Sequence, residues 1–177
     1  EGLAVIRKTR DYPVALYEDY HELLKMPDIE GVIIATSWNE HISIAIASMK
    51  AGKYTAFEVG GASSIAQCWK LVETYEETGT PCMMLENCCY GRYELAVLNM
   101  IRQGLFGEIV HCDGGYRHDL SAIPRGLLKN HQRSFHHMKR NAELYPTHEI
   151  GPIAKYLNIN RGNRFLTLTS MASKSRG

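Results

Sequence analysis

The sequence has no GxGxxG turn, no CxxC pair, no run of basic residues and no long apolar stretch. Each gap removes a class of function. A helix crossing a bilayer needs about 18 or more consecutive apolar residues, so no membrane partner is expected. The 20 Lys plus Arg and 19 Asp plus Glu leave a formal net charge of +1 and are not clustered. Nucleic acid is therefore not an expected partner either. The cysteines, Cys68, Cys82, Cys88, Cys89 and Cys112, are odd in number and lack framework spacing, which excludes a disulfide scaffold. Adjacent Cys88 and Cys89 make poor chelators, so buried, reduced thiols are expected. His131, His136 and His137 have no carboxylate or Cys at ligand spacing; no metal site is expected there, only a solvated polar loop. The chain opens on Glu1-Gly2-Leu3-Ala4, with neither an initiator Met nor a signal-peptide pattern. Any targeting segment is expected to lie outside it, and the compartment stays open.

What is present is an ordinary globular composition, 45% hydrophobic and 22% charged over 177 residues, enough for a sizeable core in one domain or two small ones. Residues 31–36 are a continuous apolar run, as a strand buried on both faces should be. Ile42, Ala45, Ile46 and Met49 recur at helical spacing, and Gly52 stops that helix. Residues 53–57 read as a second strand. A helix capped by Ser63 or Ser64 follows and ends at Gly79. Residues 81–85 are a third strand, and 90–103 a third helix. Such alternation with short loops predicts a parallel sheet with crossover helices, whose ligands bind beyond the carboxyl ends of the strands. The loops there hold Trp38, Asn39 and His41, then Glu58, then Glu86 and Asn87.

From Gly107 the pattern changes. Residues 108–117 and 165–171 alternate, which predicts strands of a mainly antiparallel sheet. Residues 119–143 are polar and read as a long irregular excursion, with Arg117, Arg125 and Arg133 as plain surface charge. Residues 148–157 read as a helix with Pro152 in its first turns. The expectation is an α/β unit over 1–106 and the start of an α+β unit over 107–177. Tyr145 and His148, three apart at a helix start, share a face; Tyr116 and His118, two apart on a strand, do likewise. Glu86 ends the third strand, where it either serves a site or simply caps the next helix. For Trp38, the plain alternative is the core.

The strings "YEDYHELLKMPDIEGVIIATSWNEH" and "AIASMKAGKYTAFEVGG" resemble Gfo/Idh/MocA oxidoreductases. "EVGGA", "CMMLENCCY", "LNMIRQGLFGEIVHCDGGYRHDL", "LYPTHEIGP" and "SMASKSRG" resemble more closely glycoside hydrolase family 109, the NAD-dependent α-N-acetylgalactosaminidases. The resemblance spans essentially the whole chain but only the middle of such a protein. It implies a partial Rossmann-like parallel sheet, with the phosphate-binding turn upstream, followed by part of a substrate domain. It also implies NAD as cofactor, a sugar or glycoside as substrate, and room for a homo-oligomer through the substrate-domain sheet. NAD is not separated from NADP, because the acidic ribose-binding residue would lie upstream.

The implied chemistry is transient oxidation at C3 of the sugar, elimination of the aglycone, water addition and re-reduction. By resemblance His148 is the active-site histidine and Tyr145 its neighbour. Tyr116 and His118 line the sugar site, either taking the C2 proton or holding the ring. Glu86 orients hydroxyls or polarises a base, and Trp38, Asn39, His41, Glu58 and Asn87 stand on the cofactor side. Glu58-Val59-Gly60 replaces the Glu-Lys-Pro of most relatives in the superfamily. The Lys of many dehydrogenases is thus gone, which favours the glycosidase over a conventional NAD(P)-dependent sugar oxidoreductase. The absent GxGxxG favours a third reading, a non-catalytic module, for the chain by itself.

Overall fold

Short apolar runs, each followed by a helix that starts on a polar residue, fold here into parallel strands. The computed structural model, which describes residues 8, 14–119 and 132–174, has β1 at Gly31–Ile34, β2 at Tyr54–Phe57 and β3 at Cys82–Met84. They form one sheet in that order. Both pairings are parallel, with Gly31 opposite Tyr54 and Thr55 opposite Cys82. A short helix, α1 (Tyr20–Leu24), precedes the sheet. The crossovers are α2 (His41–Lys50) and α3 (Ile65–Thr78). Ser64 caps α3 by accepting the Gln67 N–H at 3.2 Å, which satisfies one of the free amides of its first turn. Helix α2 lies against β1, β2 and α3. Its Ile42, Ile44 and Ala45 are buried with Ile34 and Phe57, and Leu71 and Met84 pack at the margin.

That core is one-sided. Ile33, Tyr54 and Met83 are 74%, 65% and 50% exposed, because successive strand residues point to opposite faces and no described helix covers the second face. Among the described residues the apolar run at 31–36 therefore buries one face, where its composition suggested both.

Beyond β3 come a 3₁₀ turn (Asn87–Tyr90), α4 (Arg92–Arg102), α5 (Gln132–Lys139) and α6 (Pro146–Tyr156). Proline at the start of α6 suits a position whose N–H would have no helical partner. Helix α6 packs on the 3₁₀ turn and on α4. Tyr156 Oη donates to the Glu94 carbonyl at 3.1 Å, Lys155 Nζ donates to the Cys89 carbonyl at 3.3 Å, and that ammonium lies 4.3 Å over the Tyr90 ring. These ties anchor the carboxyl-terminal end of α6 on the 3₁₀ turn and α4.

Two further expectations are corrected. Residues 108–117 and 165–171 form no strand among the described residues; Val110 and Leu168 are 89% and 88% exposed. Alternation marks a face that would be covered, whereas a strand exists only through hydrogen bonds to a neighbour. The stretch 119–143 is not wholly irregular, since 132–139 is helix α5. Residues 127–145 hold no Gly or Pro to break it. The remainder of the expected excursion, 120–131 with Arg125 and His131, lies outside the described residues. All five cysteines are free thiols.

Candidate active site

The carboxyl ends of the strands open into a cleft of about 350 Å³. Ala35, Thr36 and Trp38 line it after β1, Glu58 and Val59 after β2, and Asn87 after β3. His41, Tyr116, Tyr145 and His148 complete the lining. Parallel α/β sheets bind their ligands at this end. One wall is a chain of touching rings. Trp38 meets Tyr145 edge-on at 5.2 Å, and Tyr145 stacks on His148 at 5.0 Å and 14°. Tyr116 lies 5.0 Å from Tyr145 and 4.8 Å from His148. Separations of about 4.5–7 Å in edge or offset geometry are favourable for aromatic pairs.

Glu86 supplies the electrostatics. It is 5% exposed, and its Oε1 accepts the Cys88 N–H at 3.0 Å and pairs with His148 Nδ1 at 2.7 Å. Burial would raise the carboxyl, but the nearby Thr147 hydroxyl, the His148 ring and the Cys88 N–H outweigh it. They hold Glu86 below the ordinary glutamate value. An ionised carboxylate can only accept, so Nδ1 carries the proton. In the neutral ring Nε2 is then the basic nitrogen, on a side chain that lines the cleft. A carboxylate behind an imidazole fixes its tautomer and steadies its protonated form. Burial pushes the Cys88 thiol up, reinforced by the Glu86 carboxylate, and burial raises Cys89 as well despite Lys155. Both are resting thiols rather than nucleophiles.

Two glycines let these parts close. A Cβ on Gly60, whose φ is +111°, would overlap the Trp38 indole. A Cβ on Gly151 would stand 2.9 Å from Cys89 Sγ and 3.1 Å from Glu86 Cγ. Helix α6 can approach the Glu86 turn only because that side chain is missing.

Residues 3–86 match the family model described as oxidoreductase family, NAD-binding Rossmann fold. Residues 90–177 match the C-terminal domain of glycosyl hydrolase 109. The first half of the chain is thus similar to NAD-binding oxidoreductases and the second half to glycosyl hydrolase family 109. It is 46% identical to a family 109 protein of Solibacter usitatus, over 93% of this chain and 39% of that protein. It is 45% identical to an alpha-N-acetylgalactosaminidase of Shewanella oneidensis, over 98% of this chain and 39% of that one. The chain thus spans 39% of the length of these relatives. Among solved structures, an oxidoreductase from Bacillus cereus matches with a TM-score of 0.55 and 28% identity, over 62% of this chain and 31% of that one. An NAD binding oxidoreductase from Klebsiella pneumoniae matches with a TM-score of 0.50 and 26% identity, over 52% and 24%. What is shared is a Rossmann-like parallel sheet.

The chain brings Trp38, His41, Glu58, Asn87, Tyr116, Tyr145 and His148 to one cleft, with Glu86 behind His148. It leaves two expected residues aside. Asn39 is exposed and does not line the cleft. His118 packs against Tyr116 with the rings tilted and 4.3 Å apart, but faces an adjoining hollow of about 180 Å³, with His137 and Glu143. The plain alternatives are met. Glu86 does cap a helix, the 3₁₀ turn, and Trp38 is core, at 6% exposed. His41, 1% exposed, donates from Nε2 to the Thr36 carbonyl at 3.1 Å and so fixes the loop after β1.

The expectation of a solvated loop at His136 is corrected. His136 is 1% exposed and its ring lies 5.1 Å from Trp38. Burial lowers its pKa, as do Arg140 and His137. Helix α5 turns this residue inward, which polar composition alone does not reveal. Sequence reasoning also passed over Gly151 and Thr147, and set Cys88 aside as a poor chelator. A glycine inside a helical pattern and next to Pro152 was the available signal for a close approach.

Proposed function

We propose that the full-length protein is an NAD-dependent glycosidase acting on α-N-acetylgalactosaminides, by transient oxidation at C3, elimination, water addition and re-reduction. The observation that carries this reading is the Glu86–His148 pair, 2.7 Å apart beside a cleft at the tips of parallel strands. Its substrate class is taken from the Shewanella oneidensis relative's name and its cofactor from the Rossmann family match.

The cleft's residues fit the nicotinamide end of NAD. Ala35 and Thr36 are small enough to let a flat ring come close to the strand tip, Trp38 offers an apolar face, and Glu58 and Asn87 offer hydrogen-bonding groups. When bound, NAD supplies reversible hydride transfer; the protein supplies orientation and electrostatics. His148 Nε2 takes the C3 hydroxyl proton and later returns it, with Glu86 stabilising the imidazolium in between. Tyr116 holds the ring or, as its phenolate, takes the C2 proton to become the phenol, and Tyr145 packs the sugar against His148. His118 acts on the same sugar from the adjoining hollow. In this reading the cofactor-side unit is residues 1–106 and the sugar-side unit begins at 107.

The test is full-length protein with the p-nitrophenyl α-N-acetylgalactosaminide. The expected result is nitrophenol release without net NADH. NADH accumulating with free sugar would make it a conventional oxidoreductase, and neither signal would make it a non-catalytic module.

A further inference from the structure

We propose that Glu86, Cys88 and His148 form a binding site for a soft divalent cation such as Zn²⁺, and that occupancy switches off the His148 base. The metal site goes beyond the glycosidase reading and does not depend on it, whereas the switch rests on the role that reading gives His148. Glu86 offers a carboxylate oxygen, Cys88 its Sγ and His148 a ring nitrogen, and the three ligand atoms lie within 4.8 Å of one another. No ion is in the structure.

Several observations make this more than a chance cluster. The groups are sheltered, with Glu86 5% exposed and the His148 side chain 12%. Glu86 Oε2 is buried without a well-formed hydrogen bond, so a ligand atom is already stripped of water. The turn geometry is also fixed, since the Cys88 N–H holds Oε1. Ligand atoms of a tetrahedral Zn²⁺ site lie roughly 3.3–3.8 Å apart, given bond lengths of about 2.0–2.3 Å. Binding must therefore draw the three atoms together from within 4.8 Å. One thiolate, one imidazole and one carboxylate favour Zn²⁺ over Mg²⁺ or Ca²⁺, and three protein ligands leave a fourth position for water.

The proton balance explains the switch. The Zn–S bond replaces the S–H bond of Cys88, and that proton goes to solvent. A Zn–N bond at Nδ1 displaces the proton now shared with Glu86 and moves it to Nε2. The ring then presents a donor to the cleft where it had presented a lone pair. No base remains to take a hydroxyl proton.

The experiment is a Co²⁺ titration of chelator-stripped, full-length protein. The expected result is a single saturable thiolate-to-cobalt charge-transfer band that Zn²⁺ displaces. It should vanish in Cys88→Ser, and His148→Gln should bind at least about tenfold more weakly. Because Cys88→Ser could fold poorly, wild-type protein is also alkylated with N-ethylmaleimide with and without Zn²⁺, and each cysteine is followed by mass spectrometry. Zn²⁺ should protect Cys88 while exposed Cys68 reacts at an unchanged rate. No saturable band, a band unchanged in Cys88→Ser, or equal alkylation of Cys88 in both conditions overturns the proposal. Neither readout involves turnover, so its failure is distinct from failure of the glycosidase reading.

Discussion

Gly151→Ala is the sharpest single test of how the candidate site is held. In an ordinary helix the change would stabilise by about 1 kcal/mol, because glycine has the greater backbone freedom to lose. Here the new Cβ meets Cys89 Sγ at 2.9 Å and Glu86 Cγ at 3.1 Å, whereas comfortable carbon contacts begin near about 3.5 Å. Helix α6 must therefore back away by roughly half an ångström, and overpacking of this kind costs about 1–3 kcal/mol. The two effects largely cancel in stability. They do not cancel at His148, which lies on the same helix and pairs with Glu86 at 2.7 Å. A misplacement approaching about 1 Å costs on the order of 100-fold in rate. The expectation is thus a net loss of under about 2 kcal/mol by denaturant unfolding and a fall in kcat/KM of about 10- to 100-fold. Adding Cys89→Ala removes the nearer clash and should recover part of the loss. A Gly151→Ala enzyme within about twofold of wild type would refute the claim that close approach of α6 sets the base.

His148→Ala and Tyr116→Phe should each lower kcat on the nitrophenyl substrate at least about 100-fold, the low end for proton-transfer groups. Activity near wild type in either would cancel its assigned role. Glu86→Gln should cost about 1.5–3 kcal/mol at neutral pH, the value of a hydrogen bond to a charged group. Because the folded Glu86 carboxyl sits below its ordinary value of 4.5, its stabilisation is present above that pH and is lost as pH falls through the lower folded value. Unfolding curves of wild type and Glu86→Gln should accordingly converge below pH 4.5; a gap that widens in acid contradicts the shift. Gly60→Ala should destabilise by about 1–3 kcal/mol, through positive φ and overlap with the indole, and a melting temperature equal to wild type would show the loop is free to move.

The sheet, its parallel sense and the helices α2 and α3 were legible because their signals are local. Apolar runs, helical spacing around Ile42 and Met49, and the caps at Ser64 and Gly79 all lie within a few residues of what they determine. Tyr145 and His148 were legible for the same reason, being three apart at a helix start. The decisive pairing was not. Glu86 and His148 are 62 residues apart, and the sequence marks neither as the other's partner. Among the described residues the second face of the sheet is bare and the segments at 108–117 and 165–171 form no strand; both went unread for a related reason, since hydrophobic pattern reports that a face would be buried, not what buries it. His136 escaped because a polar neighbourhood hides one inward-facing side chain.

The departure at Glu58-Val59-Gly60 now has a physical account. Val59 is 8% exposed in a cluster with Trp38 and Tyr145, and Gly60 leaves the space that the Trp38 indole fills. A lysine in place of Val59 would start from an apolar pocket, and burying an unpaired ammonium there carries a penalty of several kcal/mol. A proline in place of Gly60 would have φ locked near about −65°, far from the +111° the loop adopts. The two substitutions are therefore one change. Once the indole occupies the loop, the lysine loses its place, and proton transfer passes to a base on another element. Under the proposed function that base is His148, which arrives on α6 with Nδ1 paired to Glu86.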